Sequence, residues 1–189
     1  MEKERKLQII KAAVKRFDKH GLRKTTLDEI ARDLRIGKAT IYHYFVSKED
    51  LYFAALDWEG TLFLEDVKII LSNEQAAVKD CLVEYFLAKE SIPQKYKLIF
   101  DTIVQIVSEN NFENENLFFK DLLNKEEALI KAAITKNNSS KNTAQIQLSP
   151  SYLVIQSWSL FFGYKISSAI AAGKNSSLKE LALQILNNI

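Results

Sequence analysis

Residues 25–45 read TTLDEIARDLRIGKATIYHYF, and this stretch decides the fold. Thr26-Leu27-Asp28-Glu29 has the form of a capping box, in which the Thr26 hydroxyl caps a helix and Glu29 reaches back to the cap. In the helix that follows, Leu27, Ile30, Ala31 and Leu34 recur at helical spacing and predict one inward face. Gly37 stands at the start of a second short helix that runs through about Tyr44. Its apolar positions, Ile36, Ile41 and Phe45, face inward. Helix, tight turn, helix is the arrangement that lays a second helix in the major groove of DNA.

The outward side of that second helix carries Lys38, Ala39, Thr40, Tyr42, His43 and Tyr44. Lys38 and Thr40 suit base edges or phosphates, and the Ala39 methyl suits a thymine methyl. Thr26 adds an exposed hydroxyl beside a helix N-terminus, a natural phosphate position. Thr25 and Arg35 complete the candidate DNA-facing set within the stretch. Tyr42 and Tyr44 have a competing reading as packing aromatics, which suits one of the two.

Charge supports the same end of the chain. Residues 1–50 carry 13 Lys/Arg against 8 Asp/Glu, a net +5, whereas residues 51–189 carry 13 Lys against 16 Asp/Glu, a net −3. All five arginines (Arg5, Arg16, Arg23, Arg32, Arg35) lie in the first 35 residues. Arginine is the side chain best suited to bidentate contact with phosphate and guanine.

Working outward, Leu7, Ile10, Val14 and Phe17 predict a first helix that ends at His20-Gly21. Ser47-Lys48-Glu49-Asp50 is a second capping signature and opens a long helix over about 48–70, with Gly60 as a weak point. Asn73-Glu74 breaks the chain before a fifth helix that runs to about Ser91. Pro93 opens a sixth helix to about Glu109. NNFENEN is a polar connection to a seventh helix over 115–136, and NNSSKNTAQIQLS, from Asn137, is the expected flexible loop. Ser149-Pro150 starts an eighth helix that Gly173 ends, and Ser176 starts a ninth. The fold class is therefore all-α with about nine helices, as a helix-turn-helix head over 1–47 and a helical body over 48–189. A helix crossing that boundary would couple the two mechanically.

From Leu7 to Leu56 the chain closely resembles the TetR family of bacterial transcriptional regulators. The resemblance rests on IIKAAVKRFDKHG, TTLDEIARDL, IGKATIYHYF and SKEDLYFAAL. It covers roughly a quarter of the chain, and the body matches only in its helical pattern. The resemblance implies a homodimeric repressor whose heads bind a palindromic operator on double-stranded DNA and release it when a small molecule enters the body. It also implies that Tyr42 and His43 or Tyr44 reach the DNA backbone and that Lys48 contacts phosphate. Two positions depart from the pattern: Arg35 replaces a common turn glycine and Gly37 a common capping residue. A left-handed Arg35 would carry roughly 1 kcal/mol of strain.

For the body, the resemblance implies an apolar effector cavity, with Trp58, Phe63, Tyr85, Phe86, Phe100, Phe118, Trp158 and Phe162 as candidate lining. The competing reading is ordinary core. Few charged residues interrupt the central apolar positions, so the expected effector is apolar or amphipathic. The eighth helix carries Lys165 as its single charge, and a helix apolar nearly all round is buried on several sides. The resemblance makes the last two helices a dimer interface, with Ser157, Leu160, Phe161, Gly163, Tyr164, Ser167, Leu181 and Ile185 as candidates. The competing reading is burial within one subunit.

Other chemistry finds little support. His20, His43 and Cys81 form no zinc-ligand spacing, and the five glycines build no phosphate loop, so no metal and no cofactor is expected. Cys81, the single cysteine, excludes an internal disulfide. No membrane span or signal peptide is legible, and a cytoplasmic protein is the expectation. Two rival readings are a helical small-molecule enzyme, which lacks a recognisable nucleophile or base pair, and an adaptor whose body binds a protein.

Overall fold

The structure, a computed structural model, describes residues 2–108, 113–139, 146–170 and 177–186. All regular structure among them is helical: α1 (Glu2–Lys24), α2 (Leu27–Asp33), α3 (Lys38–Tyr44), α4 (Lys48–Leu71), α5 (Val78–Ala88), α6 (Ile92–Lys95), α7 (Lys97–Ser108), α8 (Glu113–Asn138), α9 (Pro150–Ile170) and α10 (Leu178–Leu186), with a 3₁₀ turn at Lys89–Ser91 between α5 and α6. The all-α expectation holds. The helix expected from Pro93 is instead two, α6 and α7. They part at Tyr96, which is buried and directs its hydroxyl 3.4 Å from the Leu62 carbonyl.

Helix ends follow the local chemistry. Gly21 interrupts α1 at φ 73°, ψ 168°, a conformation that suits glycine, so the regular helix stops where the sequence predicts. The Thr26–Glu29 capping box is complete: Glu29 N donates to Thr26 Oγ1 at 3.3 Å, and Thr26 N donates to Glu29 Oε2 at 2.9 Å. Ser47 caps α4 by accepting from Asp50 N at 3.0 Å, while Asp50 accepts from Val46 N. Gly60 does not break α4, which runs through it. Ser149 caps α9 through Tyr152 N at 3.2 Å. Ser177, one residue later than expected, makes a reciprocal pair with Glu180 at the start of α10. The expected flexible loop and the Gly173 and Ser176 signals fall largely or wholly outside the described residues.

The chain forms two compact units: Met1–Leu62 with Tyr96–Asn111, and Phe63–Lys95 with Phe112–Ile189. The expected boundary at 47/48 is thus displaced. The first fifteen residues of α4 and all of α7 belong with the head. The first unit's core explains why. Leu51, Tyr52, Ala55 and Leu56 of α4 are buried, as are Ile9, Ala13, Val14 and Phe17 of α1. Tyr52 meets the Phe17 ring edge-on at 5.2 Å and pairs with the Thr102 hydroxyl of α7 at 2.7 Å. Leu7, expected inward, is exposed instead, because the buried stripe of α1 is centred on Ile9 and Ala13. Glu59, also buried, accepts from Ile99 N at 2.9 Å at the first turn of α7.

Candidate nucleic-acid interface

α2 and α3 are joined by four residues whose hydrogen bonds define the turn. Arg35 N donates to Arg32 O at 3.1 Å and Ile36 N donates to Ala31 O at 3.0 Å. These are the two closing bonds of a Schellman motif, which requires a left-handed residue at the position Arg35 holds. Arg35 has φ 53°, the one positive φ of a non-glycine residue among those described. Gly37 then caps α3 in extended conformation with no side-chain hydrogen bond.

The turn fixes which side of α3 faces out. Ile41 and Phe45 are buried, and Ile36 is half-buried. Lys38, Ala39, Tyr42 and His43 are exposed, and Thr40 and Tyr44 are half-buried. Tyr44 is therefore the packing aromatic of the pair; its ring meets His43 edge-on at 5.0 Å. Tyr42, half its area exposed, faces outward under the Lys38 ammonium, 5.9 Å from its ring. The Lys38 ammonium also pairs with Asp28 of α2 at 2.7 Å, which raises its pKa and holds it across the helix pair.

Besides Lys38, three further expected contact residues have internal partners. Thr25 is fully buried; its hydroxyl donates to Gly21 O at 2.8 Å and approaches Arg16 O at 3.3 Å, so it ties the end of α1 rather than facing DNA. Lys48 Nζ donates to Leu22 O at 2.8 Å, fixing the start of α4 to the end of α1. Two further N–H groups of the ammonium are then available for an anion. Thr26 is exposed, but its hydroxyl serves the capping box.

Arg16 has a role that the arginine count did not distinguish. Its guanidinium forks onto Asp33 at 2.5 and 2.6 Å and lies 3.7 Å from Glu29, clamping α1 to α2. The fork holds Asp33 below the usual carboxylate range. Such bidentate geometry supplies orientation as well as attraction.

The second unit contains the largest departure from expectation. Lys89 and Glu126 are both fully buried and paired, where few charges among the central apolar positions were expected. Glu126 Oε1 also accepts from the Tyr85 hydroxyl at 2.9 Å, and Oε2 from Trp158 Nε1 at 2.7 Å. Ser157 donates to the Tyr85 oxygen at 3.0 Å. The Lys89 ammonium lies 4.2 Å from the centre of a Trp158 ring and 4.6 Å from those of Phe63 and Tyr85. Burial pushes its pKa down to about 8, against the raising effect of Glu126.

A sequence signal for this pair exists. Leu82, Tyr85, Phe86 and Lys89 fall on one stripe of helical spacing, and so do Leu122, Glu126 and Ile130. A charge on each stripe is what an apolar count over the whole body averages away.

The candidate pocket residues divide between units. Trp58 and Phe100 belong to the first; Phe63, Tyr85, Phe86, Phe118, Trp158 and Phe162 belong to the second. Phe63, Tyr85, Phe86 and Trp158 are buried, and Phe162 stacks on Trp158. A separate cleft of about 340 Å³ in the second unit is lined by Leu71–Glu74, Ala76, Val78, Cys81, Ala133, Lys136 and Asn137, none of them expected.

The candidate dimer residues divide by burial. Ser157 and Phe161 are buried within the unit's own core, so they are not available to a partner as expected. Gly163 and Ser167 are exposed, and Leu160, Tyr164, Leu181 and Ile185 are half-buried. Tyr152, Ile155 and Ile166 extend the outward side of α9 with further apolar area. Among the described residues no group of His, Cys, Asp and Glu could hold a metal ion, and no helix is long and apolar enough to cross a membrane.

The capped α2, the Schellman turn and the outward side of α3 together make a helix-turn-helix head. Residues 9–55 match the family model described as bacterial regulatory proteins, tetR family. Over these residues the head is similar to that of tetR-family regulators. The uncharacterized HTH-type transcriptional regulator YhgD of Bacillus subtilis (strain 168) is 42% identical over 52 residues, 28% of this chain and 27% of that protein. The HTH-type transcriptional regulator HbdR of Aromatoleum sp. (strain CIB) is 43% identical over 53 residues, 28% of this chain and 23% of that protein. The match thus spans about a quarter of the length of each.

Solved structures extend the likeness in fold to nearly the whole chain. Reduced Escherichia coli NemR matches with a TM-score of 0.68 at 18% identity, covering 97% of this chain and 95% of that one. A TetR transcription regulator from Haloarcula marismortui ATCC 43049 matches with a TM-score of 0.67 at 16% identity, over 98% and 96%. The Bacillus subtilis regulator FadR in complex with stearoyl-CoA matches with a TM-score of 0.61 at 20% identity, over 96% and 95%.

Proposed function

We propose that this chain is a sequence-specific, double-stranded-DNA-binding transcriptional regulator, acting as a homodimeric repressor that a small-molecule effector releases from a palindromic operator. The observation that carries the reading is the outward side of α3. Lys38, Ala39 and Tyr42 are presented there beside Thr40, on a head whose turn closes with two backbone hydrogen bonds and whose α2 carries a complete capping box. Base-edge contacts fall to Lys38, Ala39 and Thr40, and backbone contacts to Thr26, Arg35, Tyr42, His43 and Lys48.

A dimer follows from the operator geometry, since paired heads read half-sites about 34–36 Å apart. The outward side of α9 supports it. Tyr152, Ile155, Gly163 and Ile166 lie exposed at helical spacing, which is costly for a monomer to leave in water. FadR, seen with stearoyl-CoA, supports an effector site in the body, which here falls to the aromatic residues of the second unit. The reading is of a regulator rather than an enzyme, working in the cytoplasm with its DNA.

The test is a gel shift with the full chain, paired with sedimentation velocity. Sequence-selective retardation and a dimer at micromolar concentration are expected, and Ile155→Glu should shift the protein to monomer and weaken retardation. A stable wild-type monomer would remove the dimer, and retardation equal for every duplex would remove the regulator.

A further inference from the structure

We infer that the aromatic box around Glu126 is an ammonium-recognition site, held closed by the chain's own Lys89 and opened to an alkylammonium effector that takes the lysine's place. The inference rests on the reading of the body as effector-binding, and it names the class of effector.

Three observations converge on it. The first is chemical. One carboxylate accepts from Tyr85 and Trp158 as well as from the ammonium, so it is held in place by neutral donors when the cation leaves. Around the ammonium stand the faces of Phe63, Tyr85 and Trp158 at 4.2–4.6 Å. A desolvated carboxylate ringed by π-faces is what selects an organic cation over a neutral molecule of the same shape.

The second is energetic. A buried ion pair stabilises a fold no better than apolar residues of the same volume. A box built this completely around a lysine is therefore poorly explained by stability alone. The Lys89 ammonium is also weakened by burial, with its pKa down to about 8, so its hold on the box is the easier to displace.

The third is positional. Lys89 opens the 3₁₀ turn between α5 and α6, and its neighbours Glu90 and Ser91 are exposed. Short 3₁₀ segments between helices are common sites of local rearrangement. Lys89 itself is buried from backbone to ammonium, and the surface begins at the next residue. Rearrangement of this turn would bring the lysine to the surface, where its flexible four-carbon stem can place the head in water. A ligand with an ammonium on a short alkyl chain would replace it group for group.

The experiment is calorimetric titration of the full-length protein with n-hexylammonium, 1-hexanol and hexanoate. We expect the ammonium to bind at least about tenfold more tightly than the alcohol, the fold-change implied by a desolvated cation–π and charge-assisted contact, and hexanoate not to bind. Lys89→Ala removes the internal competitor and should tighten n-hexylammonium binding a further tenfold or so, with a rise in melting temperature that 1-hexanol does not reproduce. Glu126→Gln, if it folds, should abolish the preference for the cation. Equal binding of alcohol and ammonium by the wild type would overturn the inference. So would binding by Lys89→Ala alone, because the lysine would then never yield in the native protein. A gel shift of the same protein without amine keeps the two readings apart: loss of DNA binding there counts against the regulator, while the calorimetry decides the ammonium site.

Discussion

Replacing Arg35 by glycine should stabilise the head. Arg35 occupies the left-handed position of the Schellman turn at φ 53°, where an L-residue carries about 1–2 kcal/mol of strain. Its two turn hydrogen bonds are made by the backbone of residues 35 and 36 and survive the change. Glycine removes the strain but adds about 0.4–1 kcal/mol of unfolded-chain entropy. The net gain expected is about 0.5–1 kcal/mol, a rise of roughly 1–4 °C in melting temperature for a chain of this size. Arg35→Ala is the control, since alanine keeps the strain while losing the same charge. Thermal denaturation of the three proteins should place Arg35→Gly above the other two. If the wild type is the most stable, or alanine gains as much as glycine, the strain argument fails. Both variants should weaken DNA binding alike if the guanidinium meets phosphate.

Three other outcomes follow from the same geometry. Asp28→Asn should free the Lys38 ammonium and remove a carboxylate beside the proposed DNA-reading face, tightening binding about threefold to tenfold at low salt, with the gain fading as salt rises in a fluorescence-anisotropy titration. Glu59 is pushed up to about 7, chiefly by burial and further by Asp18 and Asp101 nearby. The folded state then holds a proton that the unfolded chain loses near pH 4.5, so this group's contribution falls as pH rises from about 4.5 to 7. Denaturant unfolding of Glu59→Gln against wild type should show a stability difference in favour of the variant that grows across that window and then levels. Lys89→Met should cost about 3–5 kcal/mol in the same assay by stranding the Glu126 charge, and adding Glu126→Leu should recover much of it.

How much was legible in the sequence depends on whether a residue's role is local. The Thr26–Glu29 box, the Gly21 stop and the left-handed Arg35 follow from chemistry within a few residues, and each could be read from the chain. Thr25 and Lys48 were harder, because an exposed-looking polar residue beside a helix end can as well bind a distant carbonyl. Their partners, Gly21 and Arg16 for one and Leu22 for the other, depend on how α1 returns to meet α2 and α4. The Arg16–Asp33 fork and the Lys89–Glu126 pair join residues 17 and 37 positions apart, a distance at which helical periodicity gives a face but no partner. The second pair also departs from the expectation that few charges interrupt the body's central apolar positions, because two charges that neutralise each other at close range can be buried where either alone could not.

In the proposed function, the outward side of α3 reads DNA sequence. Binding-site selection from random duplexes by the wild-type protein, Lys38→Ala and Thr40→Ala tests it most directly. A palindromic motif is expected for the wild type, with a changed base preference within each half-site for the variants. The same motif from all three proteins, or no enriched motif from the wild type, would contradict it.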